Sequence, residues 1–498
     1  MEQFQMLIGG KRVDAVSGKT FESENPYTRE PWATVPDGSA ADVDLAVQAA
    51  RDALNGEWGS MTGFTRARLL RKLGDLIEVH AERLGRMEVN DSGKLYLETV
   101  GQAKGLSAWY HYFAGLADKV EGRQIPGPTS DFLIYTRREP VGVVAAITPW
   151  NSPLLLLSVK LAPALAAGCT VVVKPSEHSP TATLAFAELF EEAGFPPGVL
   201  NVVTGISRET GAALAAHPGV DRVGFTGSTE TGRSVAKAAA GNLNKATLEL
   251  GGKSPQVVFP DADLDAAANG IVAGVFAASG QSCIAGTRLI AHVDIHDELV
   301  ERIVEKARRI RQGDPHDVNS QMGPMANKVQ YEKVMHYLGI AKDEGATAAC
   351  GGGQNPELGG YFIEPTLLTG VTKDSTVVRE EVFGPVLAAL TFTDEDEAVA
   401  LANDTEFGLG GGVWTNDIGR AHRVAARIQA GTVWVNTYRL FAPSAPFGGV
   451  KQSGIGRENG IHAIDEYTEE KTIWVNVSGV NRDPFAFVAP KVEAKAQG

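Results

Sequence analysis

Apolar residues recur along this chain with two different periods, and the period changes with position. After Ser39-Ala40-Ala41-Asp42, a capping-box arrangement, Val43, Ala46, Val47, Ala50 and Leu54 fall at helical spacing. Leu69, Leu70, Leu73, Leu76 and Ile77 repeat the stripe over 65–78, and helical pattern continues to about Asp118. Before position 38 the chain is rich in turn residues, with Gly9-Gly10 and Val35-Pro36-Asp37-Gly38 around short extended pieces. The opening reads as mostly helical, its apolar stripes given over to packing.

The texture changes at Gly122. Pro126-Gly127-Pro128 breaks the chain, and 132–138 reads as a short strand whose polar end predicts an edge or hairpin position. Short apolar runs then alternate with helices. Strands are predicted at 142–147, 169–175, 199–203, 222–226 and 247–250, with helices over 153–167, 180–193, 210–216 and 234–240. This alternation predicts a parallel sheet covered by helices on both faces. Such sheets bind ligands outside the carboxyl ends of their strands. Those ends are Thr148-Pro149-Trp150-Asn151, Lys174-Pro175-Ser176-Glu177, Thr204-Gly205 and the stretch from Gly227 to Gly232.

From about 254 to 450 the α/β character repeats as a second domain. It has a strand at 289–293, a charged amphipathic helix over 297–311, a helix over 328–343, a glycine-rich loop at 350–354 and an apolar run at 409–414. Residues 473–477 read as a strand, and the polar tail from Ser478 reads as extended.

Bulk properties narrow the picture. A chain of 498 residues exceeds what one growing core fills, so two or more domains are expected. With 43% hydrophobic and 21% charged residues the composition is that of a folded globular protein. A formal charge of −14 argues against nucleic-acid and anionic-membrane partners, yet permits a local phosphate pocket built from backbone N–H groups. The most apolar stretch, 154–167, contains Lys160 and Pro163 and is too short to span a bilayer. Met1 to Met6 lacks a signal-peptide pattern. Three cysteines without CxxC or zinc spacing, and no HExxH, indicate no metal site and a reducing, cytoplasmic setting.

Candidate chemistry centres on Gly280-Gln281-Ser282-Cys283, which ends a small-residue segment, and on Glu249, an acid set among Leu248, Leu250, Gly251 and Gly252. A cysteine needs a proton acceptor to become a good nucleophile, and a desolvated acid has the raised pKa of a base that works near neutrality. From the residues alone, Cys283 reads more readily as a small buried hydrophobe. Asn151 is either a turn residue or an amide donor for an oxyanion. Gly227-Ser228-Thr229-Glu230-Thr231-Gly232 stands at a strand-to-helix junction suited to pyrophosphate, although it is neither GxGxxG nor a P-loop. Lys174 and Glu177 are either a solvated pair or ribose contacts, and Glu177 would repel a 2′-phosphate.

Together these segments resemble the aldehyde dehydrogenase superfamily. The resemblance is carried, in order, by Thr148-Pro149-Trp150-Asn151, Lys174-Pro175-Ser176-Glu177, Phe225 to Gly232, Leu248-Glu249-Leu250-Gly251-Gly252-Lys253 and Gly280-Gln281-Ser282-Cys283. Glu381-Val382-Phe383-Gly384-Pro385 and Pro446 to Gly454 complete it. It implies a Rossmann-like cofactor domain (1–121 and 141–252), an α/β catalytic domain (253–467) and a small β oligomerisation element (122–140 and 468–498). It further implies Cys283 as nucleophile, Asn151 as oxyanion donor and Glu249 as the base for thioester hydrolysis. Cofactor contacts are implied at Ile147, Thr148, Pro149, Trp150, Lys174, Glu177, Gly211, Phe225, Gly227, Ser228, Leu250, Glu381 and Phe383. The reaction so implied is NAD-dependent oxidation of a small aldehyde to a carboxylic acid, with NADP disfavoured by Glu177, in a homodimer or homotetramer. The alternatives on the same scaffold are a CoA-acylating semialdehyde dehydrogenase and a non-catalytic binding protein. The sequence departs from many relatives at Ser152, where an aromatic is common, and Ser282 and Ile284 flank the cysteine. Arg439 is a candidate partner for a substrate carboxylate or a surface arginine.

Overall fold

Every residue of the strand Val143–Ile147 is buried, and its side chains divide between two cores. Val143, Ala145 and Ile147 join one apolar cluster with Val172, Val223, Phe225 and Leu248. Val144 and Ala146 join another with Val171, Val173, Leu200 and Val202. This follows from the two-residue period of a strand, and it is why continuous apolar runs mark sheets covered on both faces. Each fully buried Val or Leu contributes about 1.5–3 kcal/mol. The computed structural model describes residues 1–481 and 483–485. The part of the expected C-terminal tail beyond 485 lies outside the described residues.

The first sheet runs in the order Gly454–Ile455, Lys245–Glu249, Arg222–Thr226, Val143–Ile147, Thr170–Lys174, Leu200–Val202, Met6–Ile8, Lys11–Val13. The strands from Lys245–Glu249 to Leu200–Val202 are parallel, and the flanking pieces pair antiparallel. Chain order reverses between Val143–Ile147 and Arg222–Thr226, so a crevice opens at their carboxyl ends. Two features went unread in the sequence. Of the short pieces before residue 38, Met6–Ile8 and Lys11–Val13 extend this sheet at one edge, while Glu2–Gln3, Glu30–Pro36 and Thr20–Asn25 form a small sheet of their own; Gly454–Ile455 returns from the far end of the chain to pair with Leu248 and Glu249.

The second sheet has the order Thr347–Cys350, Thr366–Thr369, Val386–Phe392, Arg288–His292, Pro255–Val258, Gly410–Trp414, Thr432–Val435. It too is packed on both faces, with Leu289, Ala291 and Leu387 on one side and Ile290, Ala388 and Val413 on the other.

A third sheet pairs Thr468–Asn476 with Phe132–Pro140, which pairs in turn with Gln124–Ile125. Of the two positions its polar end suggested, edge or hairpin, Phe132–Pro140 takes the hairpin one with Gln124–Ile125, and it is the central strand because Thr468–Asn476 covers its other side. Its charged side chains are met across the strands: Arg138 faces Glu470 in register, and Lys471 forms a diagonal ion pair with Glu139. Leu133, Trp474 and Val475 stay exposed.

Candidate active site

Cys283 sits between Ala277–Gly280 and the strand Arg288–His292, in a loop whose backbone is unusual. Ala278, Ser279 and Gly280 take φ values of 53°, 55° and 72° in succession, a left-handed run that needs outside support. The support is present. Ser279 Oγ donates to Gly323 O at 2.8 Å, Ala326 N–H donates to Gln281 Oε1 at 2.9 Å, and Tyr438 O–H donates to Ile284 O at 2.8 Å. Downstream, the buried Arg288 donates to the carbonyls of Lys253, Leu401 and Ala402. Gly252 packs beneath the loop, where a Cβ would stand 2.3 Å from Cys283 O.

The thiol lines a cavity of about 140 Å³ with Asn151, Leu156, Leu250, Gln330, Lys333, Glu381 and Phe383 among its walls. Burial, then the carboxylates of Glu249 and Glu381, push its pKa up to about 12. Cys283 is thus held as a thiol, and its activation calls for a proton acceptor. The other cysteines are buried, each donating to a carbonyl: Cys169 to Tyr467 O and Cys350 to Pro365 O.

Glu249 ends the strand Lys245–Glu249 and is only 3% exposed. Neither carboxylate oxygen has a hydrogen-bond partner among the described residues. Burial and the neighbouring Glu458 carboxylate raise its pKa well above the ordinary glutamate range, against opposing pulls from Lys160 and Arg457. It lies behind the cavity wall, not on it. Lys160 and Glu458, both buried, form an ion pair close to it. The sequence presented Lys160 only as a charge interrupting an apolar stretch, because its partner is nearly three hundred residues away.

Asn151 follows the strand Val143–Ile147 and precedes the helix Pro153–Ala167. Its Nδ2 donates one N–H to Gln281 O at 2.9 Å, leaving the second N–H uncommitted.

A groove of about 480 Å³ continues from this cavity along the switch point of the first sheet. Both spaces share Pro149, Trp150, Thr226, Gly227 and Ser228. Of the expected cofactor contacts, Ile147, Thr148, Pro149, Trp150, Lys174, Glu177, Gly211, Phe225, Gly227 and Ser228 line the groove, and Leu250, Glu381 and Phe383 line the smaller cavity. The groove ends on the helix Thr229–Gly241, capped by Ser228 Oγ accepting from Thr231 N, where free N–H groups favour an anion. The buried hydroxyls of Thr148 and Thr226 have no protein partner among the described residues. Lys174 Nζ stands 3.4 Å from Glu177 Oε2. Glu381 Oε1 accepts from Gly252 N–H at 2.9 Å. Unpartnered hydroxyls, a helix N-terminus and paired carboxylates suit a dinucleotide. The sequence reading missed Gln330 and Lys333, one turn apart on the helix Lys328–Asp343. Gln330 Nε2 donates to the carbonyls of Val382 and Phe383 and so steadies Phe383, whose φ is 59°. Their wider spacing from any glycine motif gave no signal. Arg439 turns Nη1 to Ala273 O at 3.1 Å.

Fold and site together define an α/β enzyme in which a nucleotide-sized groove ends on a cysteine. The model of the aldehyde dehydrogenase family matches residues 13–473. A putative aldehyde dehydrogenase, DhaS, of Bacillus subtilis is 46% identical over 475 residues, covering 95% of this chain and 96% of that one. A (Z)-2-((N-methylformamido)methylene)-5-hydroxybutyrolactone dehydrogenase of Acinetobacter baylyi is 47% identical, covering 96% and 98%. Among solved structures, the NAD+ complex of a Bacillus cereus aldehyde dehydrogenase superposes with a TM-score of 0.93 at 46% identity, over 96% of this chain and 97% of that chain. Betaine aldehyde dehydrogenase of Staphylococcus aureus, also with NAD+, gives 0.95 at 41% identity, over 97% and 96%. The chain belongs to the aldehyde dehydrogenase family.

Proposed function

We propose that the chain oxidises an aldehyde to a carboxylic acid with NAD, through a covalent adduct on Cys283. The observation that carries this reading is the shared cavity: the Cys283 thiol and the Asn151 amide meet where the groove ends. Cys283 Sγ attacks the carbonyl carbon and gives up its proton to solvent through the open groove, so that Glu249 stays free for the later hydrolysis. The free N–H of Asn151 and the backbone N–H of Cys283 hold the oxyanion of the thiohemiacetal. NAD supplies the hydride acceptor that turns this adduct into a thioester on Cys283. Glu249 then takes a proton from water as it attacks the thioester, expelling the Cys283 thiolate and releasing the acid, with the buried Lys160–Glu458 pair within electrostatic reach of the base. Hydrolysis by a buried base favours release of the acid over transfer to CoA.

For the cofactor, Glu177 and Lys174 would hold the adenosine ribose, Gly227 and Ser228 the pyrophosphate, and Glu381 the nicotinamide ribose, Lys333 standing beside it. Glu177 disfavours NADP by repelling its extra phosphate. We further propose the division into a cofactor domain (1–121 and 141–252), a catalytic domain (253–467, from which 454–455 rejoins the first sheet) and an oligomerisation element (122–140 and 468–498). The exposed Leu133, Trp474 and Val475 on a sheet with a free edge support assembly into a homodimer or homotetramer. No helix among the described residues is long and apolar enough to cross a membrane; free thiols at Cys169, Cys283 and Cys350 support a cytoplasmic setting. The test is aldehyde-dependent NADH formation with acid as product. Cys283→Ala should abolish it, and retained turnover would defeat the reading.

A further inference from the structure

The groups beside Asn151 carry an inference about the substrate, one that rests on the aldehyde-oxidising reading above. Ser152 is the N-cap residue of the helix Pro153–Ala167, yet its hydroxyl makes no capping bond. Its Oγ instead accepts from Lys94 Nζ at 3.2 Å. The same ammonium donates to Glu88 Oε1 at 3.1 Å and to Gln102 Oε1 at 3.0 Å. An ammonium has three donors, so Lys94 is fully committed. Lys94 and Glu88 are buried, at 4% and 2% exposure, whereas Ser152 and Gln102 keep part of their surface open.

The buried ion pair fixes the outward polarity of its two neighbours. Ser152 Oγ accepts a hydrogen bond from Lys94, so its own O–H points elsewhere. Gln102 must turn its oxygen to an ammonium, which accepts nothing, so its NH2 group faces away as well. Ser152 directly follows Asn151 and lies one turn before Leu156 on the same helical face, and Leu156 lines the cavity that holds Cys283. The cluster stands next to that cavity, beyond the wall formed by Asn151 and Leu156, and is not itself part of the wall.

We propose that Ser152 Oγ–H and Gln102 Nε2–H form a donor pair that selects aldehydes carrying a neutral acceptor oxygen, such as an ether, hydroxyl or amide carbonyl, a few bonds from the reacting carbon. Charge decides against a carboxylate. Lys94 is already paired with Glu88, and Glu98 is a further carboxylate within electrostatic reach of Glu88, so the cluster holds no unmatched cation for a substrate carboxylate. Arg439, the cation considered for a carboxylate, is turned to Ala273 O.

Pentanal and methoxypropanal differ by exchange of one CH2 for O and isolate the effect. With the full chain and NAD, kcat/KM for methoxypropanal should exceed that for pentanal by about tenfold, and that for succinic semialdehyde by at least as much. Ser152→Ala and Gln102→Leu should each cut the ether preference by about fivefold; Ser152→Thr, which keeps the hydroxyl, should restore it. Equal kcat/KM for the matched pair in the unaltered protein would overturn the proposal. So would a variant that lowers both members by one factor, the mark of a merely structural role. Absence of NADH with all three aldehydes would instead remove the reaction class, and the proposal with it.

Discussion

Asn151 donates an amide N–H to the backbone carbonyl of Gln281 at 2.9 Å. This bond ties the end of a strand in the first sheet to the loop that carries the cysteine in the second. It also aims the remaining N–H, which on the proposed mechanism meets the oxyanion. Asn151→Ala removes both functions. Its kcat should fall roughly 10²–10³-fold, the usual loss for an oxyanion donor, while NAD affinity measured by fluorescence titration stays within about twofold.

Glu249 supplies a test in time and pH. Its raised pKa, set by burial and by Glu458, means that the carboxylate form emerges at higher pH than for an exposed glutamate. Turnover should therefore rise with pH through that raised pKa. Glu249→Gln should keep a first-turnover burst of NADH in stopped flow but lower the steady state by about 10²-fold and lose that pH limb. A variant with an unaltered steady state would remove Glu249 from the role of base.

The resting thiol makes its own prediction. With a pKa near 12, the thiolate fraction grows tenfold per pH unit across neutrality. Iodoacetamide labelling of Cys283 in the cofactor-free protein should climb by about tenfold from pH 7 to 8 and again to 9, without a plateau. A plateau below pH 9 would mean that the resting thiol is already activated.

Gly252 tests the packing beneath the nucleophile. A methyl there would stand 2.3 Å from Cys283 O and 3.3 Å from Leu409 Cβ, and the nearer contact is backbone. Gly252→Ala should cost about 1–3 kcal/mol of stability by thermal melting and at least about 10² in kcat/KM through misplacement of the thiol.

Much of this was legible in the sequence because it is local. The helices Pro153–Ala167 and Lys328–Asp343 carry their own boundaries, a proline at the start of one and an asparagine cap on the other. The strand Arg222–Thr226 announces itself by an apolar run closed by a glycine turn. What escaped is set by distant parts of the chain. Gly454–Ile455 is a strand only because Leu248 and Glu249 offer an edge. Lys160 is a partner of Glu458, and Ser152 is held by Lys94. The polar end of Phe132–Pro140 suggested an edge or hairpin strand: the hairpin with Gln124–Ile125 is local, whereas Thr468–Asn476, which makes it a central strand, lies more than three hundred residues away.

The central claim is that the substrate becomes covalently bound to Cys283 and is released by water that Glu249 activates. Acid-quenched turnover of Glu249→Gln with aldehyde and NAD, followed by peptide mass spectrometry, tests it directly. The account predicts an acyl group, one oxidation level above the aldehyde, on the peptide containing Cys283. NADH formation with that peptide unmodified, or with the acyl group on Cys169 or Cys350, would contradict it.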